Sequence, residues 1–236
     1  DEWISQLDSQ ANIQDTRENV QQQDTASDTS QTQSDTLEEY IAYIESITGD
    51  AMLIGITWNT KLEVGSLLRV GDRILTLKQS EISLIFEDDS VVRLWENSSF
   101  TIESVSKENT KTVLNKGSLW GRILRPIGSE NNFEVVANDV SATVRGTSLF
   151  VEIDEVTLLT EMNVLDSYSD EGVLIVSQWE EILLQPEEQI VFGKDQKIEK
   201  NKIDIQARLK EKEFIRKNTR EDIIYMKRLL EKENEN

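Results

Sequence analysis

The stretch GDRILTLKQSEISLIFEDDSVVRLWENSSF, residues 71–100, decides the fold. Ile82, Leu84 and Phe86 fall on one side of an extended chain, and Glu81, Ser83 and Glu87 on the other. A period of two buries one face of a strand and wets the other. Ile85 interrupts the polar side, so that side is partly covered too. Asp88-Asp89-Ser90 supplies a corner, because Asp side chains bond nearby backbone amides and tolerate left-handed geometry. Alternation then resumes, with Val92 and Leu94 on one side and Val91, Arg93 and Trp95 on the other. Asn97-Ser98-Ser99 turns the chain again, and Phe100 and Ile102 open another strand. Corners at this spacing mark an all-β sandwich, barrel or solenoid.

Glycines extend the reading on both sides. Gly71-Asp72 lies between Leu67-Leu68 and Ile74-Leu75, where a positive φ lets the chain reverse without a Cβ clash. Gly117, in GSLWGRI (117–123), reads as a second corner of that kind, with a strand pair over 113–123 folded around it. In FEVVANDVSATVRGTSLFV (133–151), Gly146 sits inside an apolar strand pattern, which suggests a bulge or a close backbone contact. Further strands are expected over 173–176 and 182–184, and a hairpin from 156–160 and 163–168. Residues 37–47 fit a helix (Leu37, Ile41, Ile44) or an alternating strand; strand from Ile41 is taken.

In this order and spacing the fragments resemble the FecR domain family. They are Gly71-Asp72 followed by Ile74-Leu75-Thr76, the strand ending at Asp88-Asp89-Ser90, the Asn97-Ser98 corner, Gly117-Ser118-Leu119-Trp120, and Val144-Arg145-Gly146-Thr147. Asp89 stands where the family usually has Gly, which requires left-handed strain to be tolerated there. The resemblance covers roughly residues 42–191. It implies a mainly β domain, a compact β-roll, solenoid-like body or sandwich. Its setting would be extracytoplasmic, in the periplasm or at the cell surface, commonly in signalling proteins that regulate sigma factors. The motif positions Gly71, Asp72, Thr76, Asp88, Asp89, Ser90, Gly117, Arg145, Gly146 and Thr147 are expected to be structural.

The organisation that follows has three parts: an acidic polar linker over 1–36, a FecR-like all-β domain over 37–198, and an amphipathic helical tail over 199–236. From Gln21 to Thr36 the sequence QQQDTASDTSQTQSDT has one alanine as its only apolar residue. Such a stretch buries too little to offset its ordering entropy, and disorder is expected. Beyond Asp204 the period becomes helical, with Ile205 and Leu209, then Ile223, Met226 and Leu230. Thr219-Arg220-Glu221-Asp222 resembles a capping box. A single heptad seam would place Lys212 and Arg216 at core positions, so two helices fit better than one coiled coil. Docking on the β domain, self-association and a solvated tail all remain open.

Composition narrows the chemistry. The net charge of −20 disfavours nucleic acid and anionic lipid. With no His and no Cys, catalytic triads, Cys-His dyads and His- or Cys-based metal sites are excluded. Paired carboxylates remain, at Glu87, Asp88 and Asp89 or at Asp166, Asp170 and Glu171. Each lies in an expected turn, where Asp is favoured for backbone reasons, and no regular calcium-loop spacing is present. Arg145 is read as pairing with a carboxylate across strands. Trp58, Trp95, Trp120 and Trp179 could form a sugar-stacking face, but core or cross-strand roles are favoured. No enzyme activity and no cofactor are expected. A protein partner in the envelope is expected, with membrane attachment only through a segment upstream of Asp1.

Overall fold

The computed structural model describes residues 40–106, 109–124, 132–167, 172–194, 196–205, 207–208 and 212–218. The chain divides into two units, Asp1–Leu37 and Glu38–Asn236, and every described residue lies in the second. The expected linker, Asp170, Glu171, Leu209 and the pattern from Thr219 to Leu230 lie outside the described residues.

The described residues are mainly β, in seventeen strands. These are β1 Ala42–Thr48, β2 Ala51–Ile54, β3 Asn59–Lys61, β4 Leu67–Leu68, β5 Arg73–Thr76 and β6 Glu81–Phe86. Then come β7 Val91–Leu94, β8 Ser99–Val105, β9 Asn109–Ile123, β10 Asn132–Ala137, β11 Val140–Val144 and β12 Thr147–Ile153. The last are β13 Thr160–Ser167, β14 Val173–Val176, β15 Glu181–Leu184, β16 Glu188–Phe192 and β17 Glu199–Lys202. Residues 37–47 therefore yield a strand from Ala42. Glu199–Lys202, assigned by sequence to the helical tail, is a sheet strand paired with β16.

Two layers share β9. Sheet I runs β4-β1-β6-β7-β9-β12-β13-β16-β17, antiparallel throughout. Sheet II runs β3-β2-β5-β8-β9-β10-β11-β14-β15, antiparallel except for the parallel β9–β10 pair. The inner faces meet in one core. Ile82, Leu84, Phe86, Val92, Leu94, Leu119 and Val151 come from sheet I, and Ile74, Phe100, Leu114, Phe133, Val135, Ala142 and Ile175 from sheet II. Phe86 and Phe133 meet edge to face across it at 5.1 Å.

The long strand corrects the reading of Gly117. No strand pair folds there, because Asn109–Ile123 is one continuous strand whose first half pairs in sheet II and second half in sheet I. The core lies on opposite sides of the two sheets, so a strand passing between them must exchange its inward set. Thr112 and Leu114 point inward before the crossing, Leu119 and Ile123 after it. Gly117, at φ +82°, makes the switch, with a register shift opposite Ser99 and Phe100. Gly146 repeats the device. Arg145-Gly146 is not a bulge within a strand but the link from β11 in sheet II to β12 in sheet I, with φ +61° at the glycine. Inward positions change from Val140, Ala142 and Val144 to Leu149, Val151 and Ile153.

The expected strand over 156–160 is instead a turn. Asp154 accepts bonds from the Val156 N–H (3.0 Å), the Thr157 N–H (2.6 Å) and the Thr157 hydroxyl (2.9 Å). This Asx-type turn outcompetes the strand propensity of Val156 and leaves it exposed. These bonds hold the Asp154 carboxyl below its ordinary pKa.

The chain turns helical at Asp204, as the change of period predicts. Asp204 Oδ1 accepts from the Ala207 N–H at 3.1 Å. Bonds from Arg208 N–H to Asp204 O (2.9 Å), Lys212 N–H to Arg208 O (3.0 Å) and Arg216 N–H to Lys212 O (3.1 Å) carry it to helix α1, residues 213–218. The helix lies on the outer face of sheet I. Phe214 and Ile215 join Val91, Trp120, Phe150 and Leu165 in a second apolar cluster, with Ile85 and Trp95 at its margin. This explains why β7, β9 and β12 carry apolar residues on both faces.

Candidate functional site

The positions singled out by sequence gather at the corners of the fold, where their polar atoms turn inward. Around the sheet crossing, Thr76, Ser98 and Ser118 are buried together. The Ser98 N–H donates to Thr76 Oγ1 at 2.8 Å, and the Thr76 hydroxyl donates to Trp95 O at 2.5 Å. The Ser98 hydroxyl donates to Ser118 O at 3.0 Å and accepts from the Ser118 N–H at 2.9 Å. A Cβ on Gly117 would stand 2.5 Å from Ser98 Cα and 2.4 Å from its Oγ, so the serine occupies the space that a side chain would need. Thr76, the Asn97-Ser98 corner and Gly117-Ser118, distant in sequence, thus form one buried hydroxyl clasp. Thr76→Val removes the acceptor of a buried N–H, and urea unfolding should show a loss of about 1–3 kcal/mol.

The other motif positions close turns. Asp72 Oδ2 accepts from the Arg69 N–H at 2.8 Å beside Gly71, at φ +89°. At the β6–β7 corner, Asp88 Oδ1 accepts from the Ser90 N–H at 3.0 Å, and the buried Ser90 hydroxyl accepts from the Leu124 N–H at 3.2 Å. Asp89 takes φ +60°, the left-handed geometry that its replacement of glycine demands. Arg145 donates Nε–H to Asn132 Oδ1 at 2.6 Å, and the Thr147 hydroxyl donates to Arg145 O at 3.0 Å.

Asp88 differs electrostatically from the exposed carboxylates. Burial raises its pKa above the ordinary value of 3.8, against the lowering effect of the Ser90 bonds. A raised carboxyl pKa means that the folded state holds the proton more tightly, so stability falls as pH rises from 3.8 through the raised value. Asp88→Asn keeps the Oδ1 acceptor and removes the charge. The variant should match the parent near pH 3 and exceed it in melting temperature at neutral pH.

The candidate carboxylates that are described fall on two separate elements. Glu87, Asp88 and Asp89 share one tight turn, and Asp166 lies on β13. Among the described residues no group of three His, Cys, Asp or Glu side chains could hold a metal ion. The four tryptophans do not form one exposed face: Trp95 and Trp120 lie in the cluster under α1, and Trp58 and Trp179 lie elsewhere. Trp120 is buried, and Trp95 packs on Phe214 at 4.8 Å. Trp58 and Trp179 are exposed in the β2–β3 and β14–β15 loops, at opposite edges of sheet II.

The outer face of sheet I carries the chain's own helix. Its occupied section shows what it accepts. Phe214 reaches Trp95 and Phe150 (6.4 Å), while helical cations meet sheet carboxylates around the apolar patch. Arg208 pairs with Glu161, Lys212 with Glu152 at 2.5 Å and Lys217 with Glu81 at 2.9 Å. Asn218 Oδ1 accepts from Arg93 Nη1 at 2.6 Å, and the Arg93 guanidinium stacks 5.5 Å above the Trp120 ring. β13, β12, β7 and β6 are bridged in turn, so the helical segment runs across the strands as a strap. Sequence reasoning left this docking as one of three options. The signal was present in Ile85, Trp95 and Phe150, apolar residues on a face that alternation assigns to water.

Residues 72–166 match the family described as FecR protein. That segment is a FecR domain. The match runs from β5 into β13 and is narrower than the 42–191 expected from the motifs. The FecR segment supplies the middle strands of both sheets and the crossing strand β9. β1–β4 and β14–β17 extend the sheets on either side. Two crystal structures from Parabacteroides distasonis, each described as a "putative anti-sigma factor", are similar at 19% identity and a TM-score of 0.48. The similarity covers 57% of this chain and 61% of theirs, so it spans less than two thirds of those proteins. No curated protein matches the chain.

Proposed function

We propose that this chain is a non-catalytic regulatory module of the bacterial cell envelope that senses or relays a signal by binding a protein partner outside the cytoplasm. The FecR match over 72–166 carries this reading. The geometry supports it, because the motif residues spend their polar groups on corners and crossings rather than on a reactive cavity. The outer face of sheet I offers apolar and acidic surface instead. A passive module that binds polysaccharide is the alternative, and the scattered tryptophans give it no stacking platform. Transcript profiling of the native host after deletion of 40–218 tests the proposal. A changed sigma-dependent gene set is expected. Unchanged transcription with altered surface adhesion would transfer the case to the passive module.

A further inference from the structure

We propose that the groove beside the strap on sheet I receives an amphipathic, Lys- or Arg-bearing segment of the partner protein; this rests on the partner-binding reading above. The groove encloses about 310 Å³ and is lined by Tyr40, Tyr43, Leu67, Ile85, Glu87 and Asp89 among others. Strand register shows its relation to the strap. Leu67 faces Tyr43, Tyr43 faces Ile85, and Ile85 faces Val91, so one row of outward side chains runs from β4 to β7. Val91 belongs to the cluster under α1, and Ile85 both packs on that cluster and lines the groove. Tyr43 and Leu67 are 43% and 50% exposed. One apolar face thus has a section that is covered and an adjoining section that is open.

The covered section specifies the chemistry. There the sheet takes Phe214 and Ile215 on its apolar patch and matches Arg208, Lys212 and Lys217 with Glu161, Glu152 and Glu81. The open section repeats that composition, with two tyrosines, a leucine and an isoleucine beside the exposed carboxylates of Glu87 and Asp89. Arg69 stands at the rim, its guanidinium stacked 4.7 Å above the Tyr40 ring and donating to the Tyr40 hydroxyl at 2.9 Å. The net charge of −20 favours approach of a cationic segment. The apolar floor then fixes where it settles.

Calorimetric titration of the full chain at physiological salt tests this. The probe is a synthetic amphipathic helix of Leu, Phe and Lys, with a counterpart carrying Glu in place of Lys. One-to-one binding of the Lys peptide and none of the Glu peptide is expected. Tyr43→Lys with Leu67→Lys should weaken binding at least about tenfold. Thr143→Lys, on the outer face of sheet II, should leave it unchanged. Glu87→Lys is the second variant, since its exposed side chain lets it weaken binding without disturbing the fold. Three results would overturn the proposal: no binding of the Lys peptide, equal binding to all variants, or binding only after removal of residues 219–236. The last would mean that the chain's own terminus fills the groove. Failure here with an intact transcriptional effect would reject the groove and leave the regulatory reading standing.

Discussion

Phe214→Ala should detach the strap and cost about 3–5 kcal/mol, the range for deleting a buried phenyl ring. Phe214 is 5% exposed and contacts both Trp95 and Phe150, so few other groups can refill its space. The expected signature has two parts. Tryptophan emission should shift to the red as Trp95 and Trp120 meet water, while the far-ultraviolet β signal of the two sheets persists. The ion pairs alone will not retain the strap. Lys212, Glu152 and Lys217 keep partial exposure, and solvent-screened pairs of this type contribute little individually. Lys212→Ala should therefore shift the melting temperature far less than Phe214→Ala. Equal effects from the two would mean that charge, rather than apolar contact, seats the helix.

Gly117→Ala is the second large effect, and it acts through the backbone. The residue needs φ +82°, which costs an L side chain about 1–3 kcal/mol. The new methyl also meets Ser98 Cα at 2.5 Å, a contact that side-chain rotation cannot relieve. Relief requires the Ser98 corner to move, which breaks its bonds to Thr76 and Ser118. A loss of at least about 3 kcal/mol in urea unfolding is expected from strain and lost bonds together. Gly71→Ala supplies the contrast. Its φ is +89°, but nothing lies within 4 Å of the added Cβ, so it should show the backbone strain alone.

These two sites also show where sequence reasoning succeeded and stopped. Short-range alternation located β6, β7 and β8 because each inward set is fixed by a period of two. Asp89 was legible as a left-handed position because the residue departs from the glycine expected at that corner. Gly117 and Gly146 were legible as special, but not as crossings. A positive φ that reverses a chain and one that passes a strand from one sheet to the facing sheet look alike in sequence. The distinguishing sign is the change of inward parity, from Leu114 to Leu119 and from Val144 to Leu149, which gains meaning only once two sheets are in view. Val156 to Leu159 misled for a local reason: these apolar or β-favouring residues turn because the Asp154 carboxylate captures the Val156 and Thr157 amides. The strap could not be placed from its own sequence, since Phe214 and Ile215 suit several partners. Its place is legible from the receiving strands, in Trp95, Trp120 and Phe150.

Amide hydrogen exchange on the full chain tests the central claim most directly: a two-sheet body joined through β9, with one section of the outer face of sheet I covered by the chain's own helix. A helix of one or two turns does not protect its amides in isolation. Protection at 214–218 therefore reports docking. The account predicts slow exchange there, together with the slowest exchange along both halves of β9, 112–116 and 119–123. Free exchange at 214–218, or a β9 whose two halves exchange as independent hairpin arms around Gly117, would contradict it.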